Sequence, residues 1–362
     1  MSAVPRPVTI FLCLLALLLA AYPLYADLVF GDKSQFYMQK LTTIIIFTIF
    51  AMSLDLLVGV TGLVSMGHAL FFGVAGYALA LLSPEYEAAN IWIVLPATLA
   101  ICAVVGLVVG VLCVRTSGVY FIMATLAFGQ MGFYFFNDSS FAGGSDGMYI
   151  MMKPQVAIAG IQLIDLETRE GMFYLALAAM VAVYLILRML IRAPFGRVLV
   201  GIHANEHRVR ALGYNAVLYK IWCFVIASVL AGLAGFLGAT QYGFINPSQL
   251  GWHTSGYALM TVILGGTGTI FGAVLGAFAF EILHYVFESL TDHWSILMGS
   301  VMIGVVLFLP GGLSGLALRV FAQRETGDQA SKNRATEVPT AAAREEEEPR
   351  VETRPAGETT HV

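Results

Sequence analysis

The chain has 362 residues, of which 58% are hydrophobic and only 12% charged, with a mean hydropathy of +0.80. Soluble globular domains carry about 25% charged residues, so these values exclude an ordinary soluble fold and describe a membrane protein. The formal charge of -4 belongs to the C-terminus, because residues 325–362 hold nine acids against five bases and the rest of the chain is neutral. No basic surface suited to nucleic acid is expected, and no GxxxxGK[ST] phosphate loop is present.

A bilayer core about 30 Å thick needs roughly 20 apolar residues as a helix. Nine hydrophobic segments meet or approach that length, near 9–26, 41–59, 65–82, 91–113, 117–136, 172–191, 221–243, 255–282 and 294–310. The expected fold is therefore all-α, a polytopic transmembrane helical bundle of about 8–10 spans. The first segment also has the length of a signal peptide, although "PLYA" is a poor cleavage site. Two segments are interrupted by glycine. In "GVTGLVSMGHALFFGVAGYALALL" at 59–82, Gly62, Ser65, Gly67 and His68 precede an apolar helix, and in 256–283 the run breaks at Gly265, Gly266 and Gly268. Pairs of such broken segments point to a transporter's substrate pathway. Glycines also permit close helix packing, as expected at Gly106xxxGly110 and Gly272xxxGly276.

Basic residues accumulate in cytoplasmic loops. Residues 192–220 carry Arg192, Arg197, Arg208, Arg210 and Lys220 against Glu206 alone, whereas 137–171 carries five acids and two bases. The first stretch reads as inside and the second as outside. Nine full crossings would then leave Arg319 and Arg324 on the wrong side, and a 255–282 segment that enters, breaks and returns restores parity. The transmembrane domain is expected to span 1–324, with 192–220 a cytoplasmic loop. The tail 325–362, rich in Glu, Thr, Ala, Pro and Arg and without aromatics, is expected to be disordered.

Few chemistry-bearing residues interrupt the apolar runs. Asp55, His68, Glu281 and His284 are costly in hydrocarbon; they read either as a proton relay or as interhelical hydrogen-bond partners, and the absence of a longer acid/His series favours the second. His203 and His207 sit at i and i+4, but no nearby Cys or Asp completes a metal site. Cys13, Cys102, Cys113 and Cys223 all lie in apolar runs and read as small buried hydrophobes. The loop sequence "GIHANEHRVRALGYN" is more patterned. Asn205 suits an N-cap, Glu206 complements the first turn, and Gly213 suits a C-terminal stop, so a helix of about two turns is expected, with Asn215 capping the next. Such a helix either passes motion from a cytoplasmic partner to the bundle or lies at headgroup level.

Several ordered stretches carry a resemblance: "SLDLLVGVTGLVSMGHALFFGVAGYALALL", "SGVYFIMATLAFGQM", "GGSDGM", "PFGRVLVGIHANEHRVRALGYNAVLYKIWCFVIASVLAGLAG", "LGGTGTIFGAVLGA" and "LFLPGGLSGL". Over residues 41–318 the chain resembles the permease subunits of branched-chain amino acid ABC importers. The resemblance implies a non-enzymatic permease in the bacterial inner membrane with its C-terminus in the cytoplasm. It implies three kinds of protein partner besides membrane lipid, namely a second homologous permease, two cytoplasmic ATPase subunits that bind the ATP, and a periplasmic solute-binding protein, with no cofactor or metal in this chain. Asn205, Glu206, Arg208, Arg210, Ala211 and Gly213 would then form the coupling element, and Gly62, Ser65, Gly67, His68, Gly265, Gly266 and Gly268 the substrate pathway. Urea or amide permeases resemble the same family. Asp55 stands where such permeases more often carry Asn. A self-contained secondary carrier is the rival class, and it would rely on an intramembrane charge relay and need no ATPase.

Overall fold

In the computed structural model, residues 6–84, 87–158, 161–309 and 311–318 are described. Arg319, Arg324 and the acidic tail lie outside them. Each of the nine apolar segments is helical: α1 (Arg6–Phe30), α2 (Ser34–Asp55) continued by a π-turn (Leu56–Thr61), α3 (Ala69–Leu82), α4 (Ile91–Cys113), α5 (Val119–Asn137), α6 (Arg169–Arg192), α8 (Ala216–Tyr242), the pair α9 (Trp252–Gly265) and α10 (Ile270–Leu290), and α11 (Trp294–Phe308). Between α6 and α8 lies α7 (Pro194–Ala211). Cap chemistry sets several ends. The Asn90 side chain accepts from the Trp92 amide at 3.0 Å, and Thr168 Oγ1 accepts from the Gly171 amide at 3.2 Å.

Not every segment is a span. Six helices are long and apolar enough to cross a bilayer, or seven if α11 and the bent 312–318 stretch count together. The three segments that fall short are α1, whose apolar stretch is Ile10–Pro23, α3 with 14 residues and α11 with 15; α9, the first arm of the 255–282 segment, also has 14 residues, about 21 Å of helix, which is too short to cross alone. The 255–282 run is a helical hairpin. Gly276 packs on the backbone of Thr261, Gly272 on Gly265, and the Tyr257 ring lies 6.0 Å from both Phe280 and Trp294, so α10 runs back antiparallel to α9. The run therefore turns back on itself at its glycine break.

The bundle is built around α2 and α8. In their apolar windows 83% and 72% of residues are buried, against 22% in α5, so α5 lies on the periphery. Gly106 packs on Ser228 and Gly110 on Phe224, which joins α4 to α8 as small-residue packing requires. Of the cysteines, Cys102, Cys113 and Cys223 are buried, but Cys13 is exposed on α1. An outward-facing position in a wholly apolar helix carries no sequence mark.

Two opposite ends of the bundle are distinct. At one, β1 (Met148–Tyr149) pairs antiparallel with β4 (Phe244–Ile245), Met148 opposite Ile245, and β2 (Val156–Ile158) forms a hairpin with β3 (Ile161–Ile164). There the start of α2 is tied to the end of α8: Gln241 Nε2 donates to the Gln39 carbonyl at 3.0 Å, and the Thr43 and Tyr242 hydroxyls meet at 2.8 Å. At the other end lies α7.

Candidate functional site

The helix α7 is two helices joined at a kink. Asn205 is extended (φ -164°, ψ 100°), and its Oδ1 accepts from the Arg208 amide at 3.1 Å, the N-cap arrangement. The second piece ends at Gly213, in the left-handed region at φ 87°, where the Gly213 amide donates to the Arg210 carbonyl at 2.9 Å and the Tyr214 amide to the Val209 carbonyl at 3.3 Å. Asn215 Oδ1 then accepts from the Leu218 amide at 3.2 Å and opens α8. The short helix expected between Asn205 and Gly213 is therefore present with its expected caps. The kink also separates His203 from His207, so the two do not share one helical face. Among the described residues no group of three metal-ligating side chains occurs.

Glu206 does more than complement a dipole. One carboxylate oxygen takes Arg210 Nη2 at 2.5 Å and the other takes Lys220 Nζ at 2.6 Å, and the Lys220 side chain is only 8% exposed. Burial pushes the Glu206 carboxyl up, but Lys220 and then Arg210 outweigh it and hold it below the ordinary Glu range. This tie, with Val209 buried on the bundle side, fixes the short helix to the foot of α8. The outer surface is free: Arg208, Arg210, Ala211 and Gly213 are exposed, and at its tip Leu212 is 76% and Tyr214 45% exposed.

Above α7 the first broken segment begins. The π-turn Leu56–Thr61 ends at Gly62 (φ 77°), and His203 of α7 lies against Gly62 so closely that a Cβ there would meet the imidazole at 2.9 Å. The chain then climbs to Ala69. The Met66 amide donates to Thr125 Oγ1 at 3.2 Å, His68 Nε2 meets Ser53 Oγ at 2.9 Å, and the Ala69 amide donates to Ser255 Oγ at 2.9 Å. Gly67 lies on the α5 backbone at Thr125. His68 is fully buried and stacks on Phe50 at 5.4 Å. It acts as an interhelical hydrogen-bond partner.

The second break is a glycine nest. The Gly268 amide donates to Asp55 Oδ1 at 2.8 Å, and Asp55 is 1% exposed with Oδ2 unpartnered among the described residues. Gly59 of the π-turn faces the Gly268 nitrogen with no room for a Cβ, and Gly266 and Gly312 are similarly interlocked. Thus Gly268 meets the π-turn, Gly265 packs on Gly272 and Gly276 of α10, Gly266 packs on Gly311 and Ser314, and Gly62 meets α7. Ser65, Gly67 and His68 face neither and are packed in the bundle.

This arrangement of a polytopic bundle, two glycine-broken segments and a capped helix at one end accompanies a match, over residues 36–308, to the family described as branched-chain amino acid transport system, permease component. The chain belongs to this family. It is 27% identical over 314 residues to the high-affinity branched-chain amino acid transport system permease protein LivM of Salmonella typhimurium, covering 80% of this chain and 73% of the relative. The same protein of Escherichia coli is 27% identical, covering 75% and 68%. The autoinducer 2 import system permease protein LsrC of Photorhabdus laumondii is 34% identical over 131 residues, a third of this chain. No solved structure matches the chain. The protein is thus a multi-pass membrane transport permease.

Three features of this permease escape sequence reasoning. The first half of α7 is helical although the segment reads as loop; Pro194 at its first turn and the buried Leu199 and Ile202, three apart, are the signal that marks it. Leu212 and Tyr214 are apolar yet exposed, which only the fold reveals. The Asp55 to Gly268 contact joins residues 213 positions apart, and no local pattern encodes it.

Proposed function

We propose that this permease is the pore-forming subunit of an ATP-driven importer of branched-chain or related amino acids. It pairs with a second, similar permease, two cytoplasmic ATPase subunits and a periplasmic solute-binding protein. The partner ATPases bind ATP, and this chain needs no cofactor of its own. The α7 end faces the cytoplasm, in keeping with its basic residues. The observation that carries the reading is the short capped helix after Asn205, tied to α8 by Glu206 and Lys220, whose exposed tip Leu212 and Tyr214 suits an apolar groove on an ATPase.

Motion follows contiguous contacts. A push on the short helix moves α7, whose His203 rests on Gly62 at the end of the π-turn; Gly59 and Asp55 at that turn hold Gly268 of the hairpin. π-Turns often mark functional sites. As the hairpin turn leaves Asp55, the Gly265, Gly266 and Gly268 backbone becomes free to meet a substrate carboxylate, while Asp55 meets its ammonium. An amino-acid substrate is favoured over the autoinducer 2 of the LsrC name because the LivM matches cover most of the chain and the LsrC match a third of it.

The test is uptake of labelled leucine by proteoliposomes holding the co-purified permeases and ATPases, with binding protein on the substrate side. The reading predicts uptake only with ATP inside the ATPase compartment and a binding protein present. Leucine uptake by the permease alone, driven by an ion gradient, would overturn it in favour of a secondary carrier.

A further inference from the structure

A cavity of about 150 Å³ opens between α1 and α6, with Val274 of α10 at its floor. Its walls come from Leu12 and Ala16 on α1 and from Met180, Val181, Tyr184 and Arg188 on α6. The α6 residues recur at helical spacing, so they form one stripe about two turns long. Aliphatic side chains dominate this stripe until Arg188. There the Nε is shielded from solvent and has no hydrogen-bond partner among the described residues. Arg192 follows one turn later in the last turn of α6, on the same face, and is exposed. Neither arginine forms an ion pair among the described residues. Outward-facing Leu14, Leu17 and Leu18 on α1 continue the apolar surface along the bundle's flank.

An apolar furrow closed at one end by two unpaired guanidiniums has the chemistry of an anionic amphiphile. We propose that this groove seats one acyl chain of an anionic phospholipid, with its phosphate held by Arg188 and Arg192. Arginine suits phosphate because its planar fork offers paired donors. The depth agrees: Arg188 and Arg192 lie at the end of α6 that leads into α7, about four and zero residues from the helix terminus, which is the level of a headgroup. A zwitterionic lipid fills the same groove but carries a cation that the arginines repel. The occupant is therefore an acidic phospholipid and not a general solvating lipid. The lipid thus cements α1 to α6.

The experiment uses the full-length permease purified with its partner subunits and stripped of lipid in detergent. Phosphatidylglycerol or phosphatidylcholine is added back, and the thermal unfolding midpoint is followed with native mass spectrometry of retained lipid. Phosphatidylglycerol should raise the midpoint by about 4 °C or more, with one lipid retained, and phosphatidylcholine should not. R188Q should lose both the shift and the retained lipid, R188K, which keeps the charge but not the paired donors, should keep only part of each, and V181W, which fills the groove and leaves the charge, should lose both. Equal stabilisation by the two lipids overturns the proposal, as does retention of the phosphatidylglycerol shift in R188Q. A shift lost in R188Q but kept in V181W shows a headgroup held without an acyl seat, and this also contradicts it.

Discussion

The two broken segments look alike in sequence and are held in different ways. The first, from the π-turn to Ala69, is tied by side chains from three helices: Ser53 of α2, Thr125 of α5 and Ser255 of α9. Among the described residues the turn at 266–269 of the second is tied to the rest of the bundle by one side-chain hydrogen bond, to Asp55, and otherwise by close contacts of its glycines with Gly59, Gly311, Gly312 and Ser314. Several independent ties make a rigid element. A single tie over smooth backbone makes one that releases when a single bond is exchanged, and moving elements are drawn from the weakly held parts of a fold.

The largest expected effect attacks the nest. A Cβ at Gly59 would overlap the Gly268 nitrogen and Asp55, so Gly59→Val should abolish monodisperse protein in fluorescence-detected size exclusion, a loss of about 4 kcal/mol or more. Gly299→Ala, with open space around it, should purify as wild type. If Gly59→Val also purifies normally, the close approach is not needed. Asp55→Ala comes next, because it leaves the half-buried Gly268 amide without an acceptor and should cost about 1–3 kcal/mol, read as a fall in unfolding midpoint. Asp55→Asn keeps the acceptor oxygen and should restore most of it. In the multiply tied break, Ser53→Ala or Thr125→Val each leaves two ties standing, so each should lower the midpoint less than Asp55→Ala does. Equal losses at Asp55 and Ser53 would erase the distinction between the two breaks.

The smallest effect is at Glu206. Its carboxyl is held below the ordinary Glu range by Lys220 and Arg210 against the opposing pull of burial. A depressed folded-state pKa adds stability above the unfolded value, and that stability is lost as pH falls through the folded value. Hydrogen exchange at residues 206–212 should therefore stay protected on acidification past the ordinary Glu pKa of about 4.3 and rise only below it. In Glu206→Gln the protection should already be low at neutral pH and show no such step.

What was legible in the sequence was what local chemistry decides. Asn205, Gly213 and Asn215 marked their helix ends because a cap is satisfied within three or four residues, and the 91–113 helix was legible because an unbroken apolar run of helical length spans it. The return of the 255–282 segment followed from counting charges across the membrane, a global rule that needs no contacts. Glu206 was read as a dipole partner because its true partner, Lys220, lies beyond a chain reversal whose geometry the sequence leaves open. The same limit hid Asp55 and Gly268. Cys13 was misplaced because a helix that is apolar all round does not say which side faces out.

The central claim is that the short helix after Asn205 passes force between the ATPases and the bundle. It is tested most directly by measuring substrate-stimulated ATP hydrolysis of the reconstituted complex for Leu212→Asp and Gly213→Val. The first changes an exposed tip and the second a position at φ 87° that a β-branched residue resists. Both leave the membrane helices untouched. The account predicts normal insertion and assembly yields for the permease with stimulation reduced at least tenfold in each variant. Wild-type stimulation in both would contradict it and leave the helix as a headgroup-level element.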